Sequence, residues 1–378
     1  MLNRRSFALS ASALAVGACA GAHPIPVTDY PPRTYRGYKG IAQIPYFELD
    51  ARGTPVLRAE IRDQLPWGID FHAHFGHAMW FAPDLDLLKP SDKTLYAVGC
   101  DDTPEPCQYN LNDYLNKIAR PEHLHEMEKR LLTGVLPGGS EASATHTIPN
   151  LLTEMDGNKI RHSVILCVMA RVPWRNNQTV RWLEAIAGAE EPERFVLFGT
   201  LDPRNSSAVG ELREWKKLGL QGIKIHPTQQ HIAPDDPACM AVYEECEALG
   251  ISVFFHCGRA GIEPGYGQPF AELKNYSAPA REFPGVKFVF GHAGARDWRE
   301  AMAVASMFDN VWLEIEGQGV YELQQILKHL GHSKLLFGSD WPFYPLAATM
   351  ARVLIATEGN AAARDAIIAH NGHALLGL

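Results

Sequence analysis

The chain has 378 residues, a formal net charge of −8 at pH 7, and a composition that is 46% hydrophobic and 21% charged. This composition is typical of a folded protein with a large core, and it excludes wholesale disorder and collagen-like repeats. The excess of acidic over basic side chains argues against nonspecific nucleic-acid binding, which needs a basic face. The chain also has 16 histidines, a large supply of the imidazole groups that commonly bind metals.

Residues 1–22 have the layout of an export signal. Arg4 and Arg5 are followed by the uncharged segment 7–18, which is too short to span a bilayer. The paired arginines resemble a twin-arginine signal. The residues around Cys19 resemble a lipobox, in which Cys19 becomes the lipidated first residue of the mature chain. The alternative is cleavage after a small residue near Ala20 or Ala22, which would release a free periplasmic protein. We therefore expect a bacterial protein that is periplasmic or anchored to the membrane as a lipoprotein.

Residues 23–66 are rich in Pro and Tyr and form a lead-in to the main domain. Within them, segments 45–50 and 55–59 have strand character and flank the turn-forming stretch 51–54. This arrangement predicts a small β-hairpin.

Eight short apolar segments with strand character follow, and several precede a helical pattern such as Val209, Leu212 and Trp215. The strand segments are 67–75, 162–169, 195–202, 222–227, 252–258, 287–293, 310–316 and 335–341. Eight strand–helix units over residues 67–378 predict a (β/α)8 TIM barrel. A doubly wound open sheet is the alternative, but such sheets usually carry a Gly-rich phosphate turn, and the sequence has none.

The segment 76–161 between the first two strands is long enough to be an insertion. Helices are expected near 111–133 and 146–158, and the insertion would then form a cap over the barrel mouth. Cys100 and Cys107 flank a polar, turn-forming stretch within it. In an oxidising periplasm they would form a disulfide, and two free thiols are the alternative.

Ionisable residues stand at the carboxyl ends of five of the predicted strands. These strand ends carry His72 and His74, then Lys224 and His226, and then His256, His292 and Asp340. Alternate residues of a strand point the same way, so the members of each pair share a face. The carboxyl ends of barrel strands meet at one mouth, where the active sites of this fold lie. Because burying such groups together is costly unless they compensate one another, we expect one functional site.

These motifs, taken in order, resemble the amidohydrolase superfamily. The segments FHAHFG (71–76), GIKIHP (222–227), FGHAG (290–294) and FGSDWP (337–342) are similar to its amidohydrolase-related branch. That branch contains metal-dependent hydrolases, lactonases, hydratases and aromatic-acid decarboxylases. The resemblance covers about residues 67–378, and it specifies the superfamily rather than the substrate.

The resemblance implies one divalent metal ion held by His72, His74, His256 and Asp340. Three imidazoles and a carboxylate suit Zn²⁺ with an open position for water, and Mn²⁺ is the alternative. The metal would lower the pKa of the bound water towards about 7. Asp340 would take a proton as this water attacks, and His292 would polarise or protonate the reacting group.

Lys224 has two interpretations within this resemblance. Some members of the superfamily carry a carboxylated lysine on the fourth strand that bridges two metals, which would make Lys224 and His292 ligands. In the other interpretation, which we favour, Lys224 is an ammonium group that pairs with Asp340 or with a substrate carboxylate. His226 is a further candidate for contact with a second metal or the substrate.

Arg171 follows the second predicted strand and Arg259 follows the fifth. Their guanidinium groups would clamp a substrate carboxylate, or would form ion pairs with Asp202 or Glu314. Aromatic residues near the mouth would stack on a substrate ring or pack at its rim. These aromatic residues are Trp80, Phe81, Trp341 and Phe343.

The predicted function is a metal-dependent hydrolase that directs an activated water at a small organic substrate such as a lactone or another cyclic ester or amide. The alternative is a lyase, a metal-dependent decarboxylase or hydratase of an aromatic or unsaturated carboxylic acid. A noncatalytic binding protein is disfavoured because every acid, base and ligand position is filled. A small molecule is the expected partner, without nucleic acid. The oligomeric state stays open between a monomer and a homo-oligomer. The only membrane contact expected is through the export signal or a lipid anchor.

Overall fold

The computed structural model describes residues 38, 40–76, 80–81, 83–96, 111, 132–134, 136–174, 176–260 and 265–378. The predicted export signal, the Cys100–Cys107 pair and most of the predicted helix near 111–133 lie outside these residues. Every helix in the described part of the chain is too short or too polar to cross a membrane.

The lead-in contains the predicted hairpin. Strand β1 (Phe47–Leu49) pairs antiparallel with β2 (Pro55–Leu57). The Asp50 carboxylate closes the turn by accepting hydrogen bonds from the backbone N–H groups of Arg52 (2.9 Å) and Thr54 (2.8 Å). Asp commonly forms such turns because its short side chain reaches the backbone two residues ahead.

The eight predicted strands form one parallel sheet in chain order, from β3 to β10. They are β3 (Gly68–Ala73), β4 (Ile160–Leu166), β5 (Phe195–Gly199), β6 (Gly222–Ile225), β7 (Ser252–His256), β8 (Phe288–Gly291), β9 (Val311–Glu314) and β10 (Leu335–Leu336). All eight segments predicted from the sequence therefore overlap a strand. Each strand ends before its predicted segment does, and β4 begins two residues earlier than predicted.

The first and last strands meet and close the sheet. The backbone N–H of Phe71 donates to the carbonyl of Phe337 (2.8 Å), and that of His74 donates to the carbonyl of Trp341 (2.7 Å). Ala73 also forms a parallel bridge with Trp341. The chain is therefore a (β/α)8 TIM barrel, and the open-sheet alternative is excluded.

Helices surround the barrel. Their bounds are Ala59–Arg62, Ile148–Gly157, Thr179–Ala187, Ala208–Lys217, Pro227–Gln230, Pro237–Leu249, Ser277–Glu282, Trp298–Met307, Val320–Leu330, Leu346–Ala356, Ala361–Asp365 and Asn371–Leu376, with a π-helical turn at Ala366–His370. The helix Ile148–Gly157 contacts β2 and β4, so it belongs to the outer ring of the barrel. The rest of the predicted cap falls mostly outside the described residues.

Apolar side chains fill the barrel below its mouth. This barrel plug consists of Ile69, Phe71, Val164, Leu166, Val196, Phe198, Phe254, Val289, Leu336 and Leu375. The rings of Phe71 and Phe198 meet edge to face with centroids 6.0 Å apart. A side chain at Gly222 would place its Cβ 2.4 Å from the Phe198 ring, so glycine makes room for that ring. The plug leaves only the carboxyl-terminal mouth for polar groups.

Candidate functional site

Three side chains from opposite ends of the barrel sequence meet at the mouth. One carboxylate oxygen of Asp340 lies 3.3 Å from Nε2 of His72 and 3.1 Å from Nε2 of His74. The two imidazole rings are 5.1 Å apart. All three residues are buried. The structure thus brings together three of the four side chains expected to bind a metal, and their ligand atoms lie within 4.8 Å of one another.

Both imidazoles are oriented through their second nitrogen. Nδ1 of His74 donates to the carbonyl oxygen of Leu166 at 2.7 Å. Nδ1 of His72 lies 2.8 Å from a carboxylate oxygen of the buried Glu314. Partners of this kind select the tautomer with the proton on Nδ1, which leaves the lone pair of Nε2 facing Asp340. The donor set therefore fits a divalent metal ion.

Asp340 is held in a left-handed backbone conformation with φ of 54°. Its backbone N–H donates to the carbonyl of His72 at 2.8 Å. The buried Asp70 carboxylate accepts hydrogen bonds from the backbone N–H groups of His72 (3.1 Å) and Ser339 (2.8 Å) and from the Ser339 hydroxyl (2.6 Å). Asp70 thereby ties the end of β3 to the segment that carries Asp340. Burial raises the pKa of Asp70 to about 7.

His292 and His256 form a second group beside the first. Nδ1 of His292 lies 2.6 Å from a carboxylate oxygen of Glu316, and its Nε2 lies 3.1 Å from Nδ1 of His256. The His256 ring stacks on the ring of His226, with centroids 4.0 Å apart and planes 11° apart. A 2.6 Å contact is a hydrogen bond, which leaves no room for an ion between those two atoms of His292 and Glu316.

Lys224 lies fully buried under this site. Its Nζ is 4.1 Å from the centre of the Phe254 ring, the top of the barrel plug. Burial lowers the pKa of Lys224 to about 7, although the charges of Asp340 and Glu314 act in the opposite direction. Burial also lowers the pKa of His226, and the nearby imidazole of His256 adds to this effect.

Sequence reasoning did not assign a role to Glu316 and treated Glu314 only as a possible partner of an arginine. In the structure each carboxylate orients one histidine. Burial raises the pKa of both carboxyl groups, and for Glu314 the neighbouring Glu316 adds to the rise. The sequence signal that could have identified Glu314 and Glu316 is their i, i+2 spacing at the end of the seventh barrel strand, the same pattern as in His72 and His74.

Arg259 pairs with Asp297. Its Nε and its backbone N–H both donate to one carboxylate oxygen, at 2.7 and 3.0 Å, and its terminal nitrogen binds the other oxygen. The expected pairing of Arg259 with Asp202 or Glu314 is therefore wrong. Arg259 and Asp297 follow the adjacent strands β7 and β8, so their loops meet, whereas Asp202 pairs with Arg204 at 2.8 Å.

Arg171 is exposed, and no acidic side chain of the described residues pairs with it. Its backbone N–H donates to the carbonyl of Gln229 at 2.8 Å, and the Gln229 side chain accepts a hydrogen bond from Nε1 of Trp80 at 3.2 Å. Beside them the rings of Phe81 and Trp174 stack 4.9 Å apart. These residues follow β3, β4 and β6, so they lie at the carboxyl-terminal face of the barrel.

The other two aromatic candidates lie deeper. Trp341 is fully buried, and its Nε1 donates to a carboxylate oxygen of Glu154 at 2.6 Å. The Phe343 ring meets the His74 ring edge to face at 5.8 Å. For Trp341 the packing interpretation is therefore correct, because its ring has no face open to a substrate.

Comparisons with known proteins agree with this architecture. A family model described as Amidohydrolase matches residues 160–378, more than half of the chain. The 2-amino-3-carboxymuconate-6-semialdehyde decarboxylase of Dictyostelium discoideum is 26% identical over 230 residues, which cover 50% of this chain and 63% of that protein. The match thus spans less than two thirds of the length of this relative.

Solved structures share the barrel. A probable 2-pyrone-4,6-dicarboxylic acid hydrolase from Acinetobacter baumannii, with citric acid bound, has a TM-score of 0.52 at 16% identity over 82% of this chain and 100% of that chain. A 5-carboxyvanillate decarboxylase from Novosphingobium aromaticivorans, complexed with manganese and 4-hydroxy-3-methoxy-5-nitrobenzoic acid, has a TM-score of 0.52 at 13% identity over 84% of this chain and 97% of that chain. At these identities the likeness shows the fold alone.

Proposed function

Because the chain belongs to the amidohydrolase family, we propose that it is a metal-dependent decarboxylase of an aromatic or unsaturated carboxylic acid. The sequence motifs alone favoured a hydrolase with a lyase as the alternative. The curated relative is named a decarboxylase, and so is one of the two structural neighbours described above, which favours the lyase. The observation that carries the proposal is the buried His292–Glu316 pair, which would donate a proton. It lies next to His72, His74 and Asp340, which would bind the metal.

His72, His74 and Asp340 would hold the metal, with His256 as the fourth ligand. Two imidazole Nε2 atoms and a carboxylate suit Zn²⁺, and the manganese in the neighbouring decarboxylase supports Mn²⁺ as the alternative. When bound, the metal supplies a Lewis acid that polarises a carboxylate or carbonyl oxygen of the substrate. A single ion is favoured, because Nε2 of His292, the nitrogen that Glu316 leaves available, already lies within hydrogen-bonding distance of Nδ1 of His256 at 3.1 Å.

His292 is the proposed proton donor. When the substrate carboxylate leaves as CO₂, the electron pair of the broken C–C bond stays on the ring or chain carbon and must take up a proton. Protonated His292 delivers this proton and later regains one from water. Glu316 holds Nδ1 and stabilises the imidazolium, so that Nε2 carries the transferable proton.

Positive charge at the mouth would attract the acid substrate. Lys224 lies buried beneath the site. Of Arg171 and Arg259, the two arginines expected to clamp a carboxylate, Arg171 is the one that pairs with no acidic side chain of the described residues. Arg259 is already bound by Asp297, which argues against a direct contact of Arg259 with the substrate. His226 lies behind His256 and would support its ring. The stacked Phe81 and Trp174 rings would line the path of an aromatic or dienoic substrate.

Hydrolysis is the second candidate function. The Asp340 side chain is 12% exposed, against 1% for His72, so its carboxylate reaches the mouth where a water would be deprotonated. In that reaction Asp340 would act as the base, and His292 would protonate the leaving group.

The test is a substrate panel. The purified protein, loaded with Zn²⁺ or Mn²⁺, is offered aromatic and unsaturated carboxylic acids together with lactones, and CO₂ and the organic products are measured. We expect CO₂ release and, in D₂O, one deuterium on the carbon that carried the carboxylate. Ring-opened acids without CO₂ would replace the proposal with the hydrolase.

Export stays a separate proposal. We expect the full-length chain to be found in the periplasmic or membrane fraction of a bacterial host, since residues 1–22 have the layout of an export signal. Metabolic lipid labelling that is lost in Cys19→Ala would support the lipoprotein form. Retention of the whole chain in the cytoplasm would reject export.

A further inference from the structure

Glu154 is a buried acidic residue that belongs to no motif of the proposed site. It lies on the helix Ile148–Gly157 and is 1% exposed. No basic side chain in the described part of the chain pairs with it. Its partners are neutral hydrogen-bond donors, which is a costly way to bury a carboxyl group unless several donors converge on it.

The donors come from two parts of the chain. One carboxyl oxygen of Glu154 accepts hydrogen bonds from Nε1 of Trp341 (2.6 Å) and from the hydroxyl of Tyr96 (2.7 Å). The other oxygen accepts from the backbone N–H of Leu346 at 3.2 Å. Trp341 and Leu346 are the two ends of the segment that directly follows Asp340. A single carboxyl group therefore holds both ends of residues 341–346.

This segment sets the position of Asp340. The carbonyl of Trp341 accepts a hydrogen bond from the backbone N–H of His74, and the carbonyl of Asp340 accepts one from Phe343 at 2.8 Å. Asp340 itself has φ of 54°, a left-handed conformation that is uncommon for a residue other than glycine. Trp341 directly follows Asp340, so the hydrogen bond that anchors its ring to Glu154 restrains the backbone next to Asp340.

We propose that Glu154 is a positioning residue for Asp340, which it places against His72 and His74 by holding Trp341 and Leu346. The role in metal binding rests on the proposed function. The role in holding the segment rests on the hydrogen bonds alone, so the two are tested separately.

The decisive comparison uses two substitutions that each remove one donor to the same oxygen of Glu154. Trp341→Phe removes the donor that leads to Asp340, and Tyr96→Phe removes the donor that does not. Glu154→Gln replaces one acceptor oxygen with an NH₂ group, which puts a donor against the donors of its neighbours. Glu141→Gln, at an exposed position of the segment before the helix, is the matched control.

The first measurement is hydrogen–deuterium exchange of metal-free protein. We expect faster exchange in peptides that cover 339–346 for Glu154→Gln and Trp341→Phe, and wild-type exchange there for Tyr96→Phe. The second measurement is Zn²⁺ affinity by competition with a chelator. We expect roughly tenfold weaker binding or more for Glu154→Gln and Trp341→Phe, and no further loss in the double variant.

Equal effects of Tyr96→Phe and Trp341→Phe on exchange and affinity would overturn the proposal, since Glu154 would then be a general structural residue. Wild-type exchange at 339–346 in Trp341→Phe would also overturn it. If Glu154→Gln does not fold, the two single-donor variants still decide. A wild-type protein that binds neither Zn²⁺ nor Mn²⁺ would reject the proposed function, while the exchange measurement would still decide whether Glu154 holds the segment.

Discussion

The barrel plug and the barrel mouth are both buried, but the same strands supply apolar side chains to the plug and polar side chains to the mouth. The plug consists of apolar side chains such as Phe71 and Phe198, which need only shape and volume. The mouth consists of imidazole and carboxyl groups, and each imidazole needs a specific partner, as His72 has in Glu314 and His292 in Glu316. The plug thus supplies apolar packing, and the mouth of the same barrel supplies the polar groups of the candidate site.

Phe254 lies at the boundary between the two regions. Its ring contacts Nζ of Lys224 and meets the His72 ring at 5.0 Å. An apolar floor of this kind withholds water from the charged groups above it. The pKa of Lys224 falls and that of Glu314 rises for the same reason, because burial disfavours the charged form of each.

The largest expected effect is the loss of activity in Asp340→Asn. The amide keeps the shape of the side chain but loses the negative charge that, in the proposed function, would bind the metal and accept a proton. We expect turnover to fall by about 10³-fold or more, with an unchanged melting temperature. Turnover and thermal unfolding are measured against Asp309→Asn, an exposed aspartate on the outside of the barrel. Substantial activity in Asp340→Asn would remove Asp340 from the site.

The next effect concerns the His292–Glu316 pair. We expect turnover to fall by about 10²- to 10⁴-fold in His292→Gln, because the proposed proton donor is lost. Glu316→Gln should cost about 10- to 100-fold and change the pH profile of kcat, because Nδ1 of His292 loses its charged partner. His329→Gln, at an exposed helix position, is the control. A Glu316→Gln enzyme with the wild-type pH profile would contradict the pairing.

A substitution in the barrel plug should have the opposite effect: it should lower stability and leave turnover nearly unchanged. Phe198→Ala removes a fully buried ring that packs against Phe71, and we expect the free energy of unfolding to fall by about 3–5 kcal/mol. Metal affinity and turnover per folded molecule should stay near wild type. Denaturant unfolding and Zn²⁺ titration check this prediction, with the exposed Met307→Ala as the control. A large loss of metal affinity would show that plug and mouth are not independent.

The smallest expected effect is a pH dependence of stability due to Glu154. Burial raises its pKa from 4.5 to about 7 in the folded protein, so between these values the folded state holds a proton that the unfolded chain releases. The stabilisation from this proton is complete below about pH 4.5 and is lost as the pH rises through about 7. The slope is about 1.4 kcal/mol per pH unit for one proton.

Thermal unfolding near pH 5 and near pH 7.5 tests this sign, with about equal buffer ionic strength. Glu154→Gln should lose less stability over this interval than the wild type, whereas Glu141→Gln should lose as much. A wild-type slope in Glu154→Gln would assign the titration to another group.

Much of the fold was predictable because barrel strands have a strong local signature. Each strand is a short apolar run, and eight of them separated by helical spacing have few arrangements other than a closed barrel. The shared faces of His72 with His74 and of Lys224 with His226 follow from the period of two residues in a strand. The strand ends were overpredicted, because pairing stops before the apolar pattern does.

The partners of the functional side chains were not predictable in the same way. His72 and Glu314 are 242 positions apart, and Trp341 and Glu154 are 187 apart. Arg259 pairs with Asp297 rather than with Asp202 or Glu314, because the adjacent strands β7 and β8 bring the loops of Arg259 and Asp297 together. Such pairings depend on which loops meet in the folded chain, and a local sequence pattern carries no information about them.

The sequence by itself therefore determined the barrel, its strand order, and the set of imidazole and carboxyl groups at the strand ends, since each follows from local hydrophobic pattern and spacing. Only the tertiary structure decided that Asp340 faces His72 and His74 within hydrogen-bonding distance, that Glu314 and Glu316 orient the histidines, and that Glu154 holds the segment behind Asp340. The physical reason is that a buried polar group must find its partner in space, and that partner lies wherever barrel closure brings the chain.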